Sequence, residues 1–178
     1  NNVYRTTPQK ISVLRKWFPT LCFYSKAIGV VYSASSRARK KVYTQQDYVH
    51  SSHDIVRALE SIGIQFEISG IEHIKKLDEP CIFIGNHMST LETFITASIV
   101  LPIRDFTFVV KKSLMTFPIF KHIMQFTNPI VVGRVNPRED LTTVLTEGQK
   151  KIEAGISVII FPQRTRTTRF HPKEFNSI

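Results

Sequence analysis

The stretch CIFIGNHMSTLETF, residues 81–94, indicates the class of fold, because a short apolar run is followed closely by a helical pattern. Residues 81–84 are apolar, as in a buried strand, whereas a 3.6-residue periodicity begins at Leu91. The turn between them holds the imidazole of His87, and a carboxylate follows five residues later at Glu92. A titratable pair at a strand-to-helix junction is a candidate site, because side chains converge there on a fixed scaffold.

The same alternation of short apolar runs and helical patterns extends over the chain from about residue 48. Strand-like runs recur at residues 64–68, 81–84, 106–110, 129–132 and 157–161, and helical patterns cover residues 48–62, 91–99 and 136–152. The last helix is opened by an Asn136 cap, Pro137 in the first turn and Glu139 as a capping-box acid. Strands that alternate with helices predict an α/β fold, a three-layer-like α/β sandwich around a mixed, mostly parallel sheet.

Composition limits the class of protein. The chain has 178 residues and 42% hydrophobic content, enough for one sizeable core. Cys22 and Cys81 lie far apart without metal-like spacing, which favours free thiols in a reducing compartment. His50, His53 and Asp54 have helix-face spacing but no further ligand follows from the pattern, so we expect no metal site.

Positive charge is concentrated at the N-terminus. Residues 1–50 contain nine lysines and arginines against one acid, Asp47, and so carry +8 of the formal net charge of +10. These bases alternate with apolar and aromatic residues such as Trp17, a mixture that suits the headgroup region of an anionic bilayer. Because no apolar run reaches the roughly 18 residues of a spanning helix, residues 1–47 are predicted to be a basic amphipathic helical segment that lies on a membrane. A solvated basic face and a nucleic-acid contact through residues 37–41 are the alternatives.

Two interpretations of His87 and Glu92 remain open on the residues alone. Histidine can take a proton from a hydroxyl near neutral pH, and a carboxylate at its other ring nitrogen would orient it. Ser89-Thr90-Leu91-Glu92 is also an S-x-x-E capping box, in which Glu92 only bonds the backbone of Ser89.

Several blocks in order resemble the glycerolipid acyltransferase family, which includes the 1-acylglycerol-3-phosphate acyltransferases. Asn86-His87 with Glu92 resembles the family's N-H-x-x-x-x-D motif, and Ile130-Val131-Val132-Gly133-Arg134 resembles its second block. Phe161-Pro162-Gln163-Arg164-Thr165-Arg166 resembles its third block, F-P-E-G-T-R. The fourth block is absent and would follow Ile178, so we expect the acyltransferase domain over residues 48–178 to be incomplete at its C-terminus.

The resemblance implies a role for each matched residue. His87 would be the general base on an acceptor hydroxyl that attacks an acyl thioester, and Glu92 would orient it. The substrate-binding residues would be Arg134, Arg166, Thr165, Gln163 and Lys111, with the arginines on an acceptor phosphate. The acyl donor, acyl-CoA or acyl-carrier protein, would be a substrate, and no cofactor is expected.

The chain also departs from the family pattern. The family's aspartate is Glu92 here, and its Glu-Gly is Gln163-Arg164. We expect an acyltransferase of phospholipid biosynthesis that acts on a lysophospholipid such as 1-acylglycerol-3-phosphate, at the cytoplasmic face of a membrane as a peripheral or monotopic protein. The alternative is a non-catalytic protein that binds anionic lipid or nucleic acid and carries a decayed motif.

Overall fold

The computed structural model describes residues 3–163 and residue 166. Its helices are α1 (Val13–Trp17), α2 (Pro19–Arg39), α3 (Gln45–Glu60), α4 (Ile71–Lys75), α5 (Leu91–Val100), α6 (Lys112–Thr116), α7 (Lys121–Thr127) and α8 (Pro137–Glu153). Its strands are β1 (Tyr4–Arg5), β2 (Glu67–Ile68), β3 (Ile82–Ile84), β4 (Phe106–Lys111), β5 (Ile130–Val132) and β6 (Ser157–Ile160).

Four of the described strands form a parallel sheet in the order β3-β6-β4-β5. Every pairing in that sheet is parallel, and β6, the last of these strands in the chain, lies between β3 and β4. Strands β1 and β2 form a separate antiparallel pair, with Tyr4 opposite Ile68. The predicted α/β class with a mostly parallel sheet is therefore confirmed, and the antiparallel pairing lies outside the main sheet.

Helices cover both faces of the sheet. On one face, Ile159 of β6 packs with Ala97 of α5 and with Phe106 and Phe108 of β4 in the main core cluster. Successive residues of a strand point to opposite faces, so Val158, which is also buried, belongs to the other face. Helix α8 contacts β5 and β6. This layering leaves the carboxyl ends of the parallel strands as the place where loops can carry a site.

The helix boundaries follow from their caps. Helix α3 begins at Gln45, earlier than predicted, because Thr44 and Asp47 form a reciprocal capping box. The helix therefore crosses the predicted boundary between residues 1–47 and 48–178, and that division stays a prediction. Helix α8 begins as predicted, with the Asn136 side chain accepting from two backbone N–H groups and a proline in the first turn.

The predicted strand over residues 64–68 is shorter than expected. The N–H of Ile64 donates to the carbonyl of Leu59, so the chain there still closes the C-terminal end of α3. Only Glu67–Ile68 pairs as a strand, and its partner is the N-terminal β1. Periodicity does not reveal this pairing, because it depends on a segment some sixty residues away in the chain.

Helix α2 has two apolar faces. Its inner face packs against α3 and α7, with Ala34 in a core cluster with Tyr43 and Ile123. An outer stripe of large apolar residues remains exposed: Leu21, Tyr24, Ile28 and Tyr32, continued on α1 and its junction by Val13, Leu14, Trp17 and Phe18. None of the described helices is both long enough and apolar enough to cross a bilayer.

Candidate active site

The carboxyl ends of the parallel strands bring most of the predicted site residues together. Parallel strands end at the same edge of a sheet, and ligand sites of open α/β sheets lie there. The site residues that follow the strands are His87 after β3, Lys111 at the end of β4, Arg134 after β5, and Gln163 and Arg166 after β6. Thr165 lies outside the described residues.

A cavity of about 520 Å³ opens at this edge. His87, Lys111, Arg134 and Arg166 line it together with apolar residues of α2, α3, α5, β4 and α7, among them Val31, Ile55, Phe94, Phe108, Phe120 and Ile123. The volume lies within the range of small-molecule sites, about 300–1,000 Å³. One cavity thus combines an imidazole, three cationic side chains and a long apolar wall.

The His87 side chain is only 15% exposed and has a defined orientation. Its ring stacks on Phe161, with centroids 4.8 Å apart and planes 23° from parallel. Arg166 Nε donates a hydrogen bond to His87 Nε2 at 3.3 Å. An accepting Nε2 must be unprotonated, so the neutral imidazole carries its proton on Nδ1. Nε2 is therefore the nitrogen that can take a proton from a substrate.

The other ring nitrogen faces Glu92. His87 Nδ1 is buried, makes no hydrogen bond within the described part of the chain, and lies 3.9 Å from Glu92 Oε2. That separation is an ion-pair distance once the imidazole is protonated, and it exceeds a hydrogen bond in the neutral state. The geometry suits a carboxylate that stabilises the imidazolium as it forms.

The surroundings favour a neutral His87. Burial lowers the pKa of the imidazole below its usual value near 6.5. The Glu92 carboxylate raises this pKa, and the guanidinium groups of Arg166 and Arg134 lower it, with a net lowering. A histidine with a lowered pKa is unprotonated at pH 7, which is the state that a general base requires.

Glu92 also bonds the backbone of Ser89, as the competing interpretation held, but the structure places the N-cap of α5 at Thr90, with no side-chain cap hydrogen bond. Glu92 Oε1 accepts hydrogen bonds from the backbone N–H groups of Met88 and Ser89, at 2.8 and 2.7 Å. The Ser89 hydroxyl donates to Oε2 at 3.0 Å. One carboxylate thus fixes the loop that carries His87 and places a negative charge near its ring. The two interpretations are compatible, and the orienting role remains a prediction.

Gln163 supports His87 from the strand β6 side. Its Oε1 accepts a hydrogen bond from the backbone N–H of His87, and the side chain is 1% exposed. We predicted a substrate contact for this residue. The structure buries it beneath the His87 loop, and it is not among the residues that line the cavity. The substrate contact stays a prediction.

Arg134 is held by a residue that sequence reasoning missed. The backbone N–H groups of Gly133 and Arg134 both donate to the Asp140 carboxylate, each at 2.8 Å. Arg134 has a left-handed backbone, φ +59°, which is uncommon for a non-glycine residue. We expected Glu139 to be the acid that bonds back from the first turn of α8, and the residue that does so is Asp140. The acidic residues in the first turn of α8 could be recognised in the sequence, but the loop N–H groups that bond to Asp140 could not.

Comparisons with known proteins find acyltransferases. The family model described as Acyltransferase matches residues 65–177. A 1-acyl-sn-glycerol-3-phosphate acyltransferase of Pseudomonas aeruginosa is 32% identical over 104 residues, which cover 58% of this chain and 38% of the relative. A chloroplastic 1-acyl-sn-glycerol-3-phosphate acyltransferase of Brassica napus, BAT2, is 26% identical over 119 residues, 65% of this chain and 33% of the relative.

A solved structure shows the same fold. The crystal structure of the 1-acyl-sn-glycerophosphate (LPA) acyltransferase PlsC from Thermotoga maritima superposes with a TM-score of 0.63 at 21% identity, over 86% of this chain and 63% of that one. The chain spans between 33% and 38% of the length of the two curated relatives above. Since the family model covers well over half of the chain, the protein belongs to the acyltransferase family.

Proposed function

We propose that the protein transfers a fatty acyl group from a thioester, acyl-CoA or acyl-carrier protein, to the hydroxyl of a lysophospholipid such as 1-acylglycerol-3-phosphate, in phospholipid biosynthesis. The observation that carries the proposal is His87 Nε2, an unprotonated nitrogen in a cavity lined by Arg134, Arg166 and apolar side chains. The names of the relatives support the same acceptor class.

In this mechanism His87 is the general base. Nε2 takes the proton of the acceptor hydroxyl as the oxygen attacks the thioester carbonyl carbon. The carbon–sulfur bond then breaks, and the thiolate takes the proton from the imidazolium, which restores neutral His87. Glu92, 3.9 Å from Nδ1, stabilises the imidazolium between these steps. A general base of this kind contributes about 10²–10⁴ in rate.

The cationic residues of the cavity suit a phosphate. Guanidinium groups bind phosphate oxygens through two parallel hydrogen bonds, and Arg134 and Arg166 both line the cavity with His87. Lys111 adds a point charge from the end of β4. With the acceptor bound, its hydroxyl would take the position at Nε2 that Arg166 Nε occupies, and Arg166 would turn to the phosphate. Thr165 is proposed to contribute a hydroxyl beside them.

The apolar wall suits an acyl chain. Phe94, Phe120 and Ile123 line the cavity beyond the polar residues. Burial of apolar area contributes roughly 0.8 kcal/mol for each methylene removed from water. An acyl chain in the cavity would therefore hold its ester or thioester end near His87.

The N-terminal helices suit a membrane surface. The exposed outer stripe on α1 and α2 includes Trp17, 75% exposed, and lies among the bases Arg15, Lys16 and Lys26. Apolar side chains flanked by cations enter the headgroup region of anionic bilayers. We propose that this surface docks the protein peripherally on the cytoplasmic face of a membrane, where its lipid acceptor resides.

Product analysis tests the activity. The full chain is incubated with labelled acyl-CoA or acyl-carrier protein and a panel of lysophospholipids, and the products are separated by thin-layer chromatography. We expect labelled diacyl product from a phosphate-bearing acceptor and none from His87→Ala. The matched control is His73→Ala, whose side chain is exposed on α4 and should leave turnover unchanged. Full activity of a folded His87→Ala protein would overturn the mechanism, and no product from any acceptor would favour a binding protein.

A further inference from the structure

A second exposed apolar surface lies between β4 and α7. Leu114, Phe117 and Ile119 are 39%, 49% and 46% exposed, although they are large and apolar. Lys112 and Lys121 flank them in the sequence. Single exposed apolar residues are ordinary on soluble proteins, but three within six residues form a patch that a partner can cover. We call residues 111–121 the mouth segment.

The sequence on either side of the mouth segment carries charge of one sign. The sequence contains no aspartate or glutamate between Asp105 and Glu139, and five bases fall in that interval: Lys111, Lys112, Lys121, Arg134 and Arg138. Outside this interval, the chain after residue 50 contains ten bases and thirteen acids. An apolar patch within an acid-free, cationic region is complementary to a surface that is anionic outside and apolar beneath.

The mouth segment borders the candidate active site. Lys111, Ser113 and Leu114 line the cavity that contains His87, whereas Phe117 and Ile119 lie outside its lining. Helix α7, which follows the segment, packs against α2, the helix that carries the outer stripe. Val30 and Val31 of α2 line the same cavity. The two exposed apolar surfaces therefore belong to elements that enclose one cavity from two directions.

We infer that the mouth segment is a second lipid-docking surface, through which Phe117 and Ile119 enter the headgroup region of an anionic bilayer beside the cavity. The inference rests on the proposed membrane function of the chain. An anionic lipid fits better than a nucleic acid, because phosphate backbones offer charge but nothing to cover three apolar side chains. Two docking surfaces would also orient the cavity toward the bilayer, so that a lipid could enter it without passing through water.

Fluorescence of a single tryptophan tests the inference. Trp17 is the chain's only tryptophan, so Trp17→Phe combined with Phe117→Trp places one reporter in the mouth segment. We expect its emission to shift to the blue on vesicles of equal parts phosphatidylcholine and phosphatidylglycerol, and to be quenched by lipids brominated along the acyl chain. The matched control is Trp17→Phe with Leu145→Trp, an exposed apolar site on α8, 63% exposed, which should show neither effect.

A measurement on the unaltered chain distinguishes this inference from the proposed membrane docking of the N-terminal helices. Its Trp17 emission reports whether the outer stripe binds the vesicles. A shift of Trp17 without a shift at position 117 would overturn the second surface and keep the first. Shifts of equal size at positions 117 and 145 would mean nonspecific adsorption and would also overturn it. A shift at position 117 without one at Trp17 would support the mouth segment and contradict docking through the N-terminal helices.

Activity gives a second readout. Ile119→Ser should lower turnover of vesicle-borne acceptor several-fold while leaving turnover of the same acceptor in detergent unchanged, because Ile119 is outside the cavity lining. An equal loss in both media would indicate a folding or packing defect and would contradict a lipid contact. Leu145→Ser is the control and should leave both rates unchanged.

Discussion

The backbone N–H of His87 donates a hydrogen bond to Gln163 Oε1, a side-chain atom 76 residues further along the chain. The contact joins the loop after β3 to the segment after β6, across two neighbouring strands of the sheet. Because Gln163 is nearly fully buried, the contact is shielded from water. It holds the His87 backbone at the place where the imidazole stacks on Phe161.

Two substitutions of Gln163 separate the effect of its hydrogen bond from the effect of a charge placed at this position. Gln163→Leu should lower both turnover and melting temperature, because a buried N–H without a partner costs about 1–3 kcal/mol. Gln163→Glu keeps an accepting oxygen and should retain activity. Its negative charge should raise the pKa of His87.

The pH–rate profile checks the sign of that effect. Turnover requires neutral His87, whose pKa is already lowered by burial, so the unaltered protein should lose activity only as the pH falls below about 6.5. A raised pKa in Gln163→Glu moves this loss to higher pH. An unchanged acid limb in an active Gln163→Glu protein would show that residue 163 does not influence the imidazole, and a shift to lower pH would contradict the expected sign.

Substitution can separate two roles of Glu92, as an acceptor for backbone N–H groups and as the partner of the base. Glu92→Ala removes both functions and should lower the free energy of unfolding by about 0.5–1.5 kcal/mol for each hydrogen bond lost, together with turnover. Glu92→Gln keeps an oxygen for the N–H groups of Met88 and Ser89 but loses the charge near His87 Nδ1. We expect near-normal melting and strongly reduced turnover, measured on the same preparation. Normal turnover of Glu92→Gln would show that Glu92 only bonds the backbone and has no role as the partner of the base.

Asp140 should act on the acceptor through Arg134. Asp140→Ala releases the two N–H groups that fix the Arg134 loop and should raise the KM for the acceptor about tenfold, roughly 1.4 kcal/mol, with the donor KM unchanged. In an Arg134→Ala background the same change should add little, because the loop no longer presents a guanidinium.

Two outcomes of this double-mutant cycle would contradict the prediction. Full additivity of Asp140→Ala and Arg134→Ala would show that Asp140 does not work through Arg134. An unchanged acceptor KM in Arg134→Ala alone would remove Arg134 from the acceptor site. Glu139→Ala, a neighbouring acid in the same helical turn, is the control and should leave both KM values unaltered.

Gly85 should be intolerant of a side chain. A Cβ at this position would lie 3.1 Å from Cε1 of Phe161, closer than ordinary packing, so Gly85→Ala should displace the ring on which His87 stacks. We expect a loss of about 1–3 kcal/mol in stability and a fall in turnover. Adding Phe161→Leu should recover stability without recovering turnover, as thermal melting and initial rates would show. Recovery of both would mean that the stacked ring is dispensable.

Much of the fold was readable from the sequence, because its signals are local. The apolar runs at residues 81–84, 106–110, 129–132 and 157–161 are strands in the structure, with ends moved by one residue. Caps such as Asn136 marked helix starts correctly. Where the signal was not local the prediction was less accurate, as at residues 64–68, whose short strand exists only through its pairing with β1.

Periodicity, capping and residue type were enough to predict the α/β class, the succession of strands and helices, and the chemistry available at the strand ends. Three contacts of the site are visible only in the folded chain: Gln163 supports the His87 backbone, Asp140 holds the Arg134 loop, and Arg166 contacts Nε2. These contacts join segments that different strands carry to one edge of the sheet. The order β3-β6-β4-β5, which sets those neighbours, depends on long-range packing that no local pattern encodes.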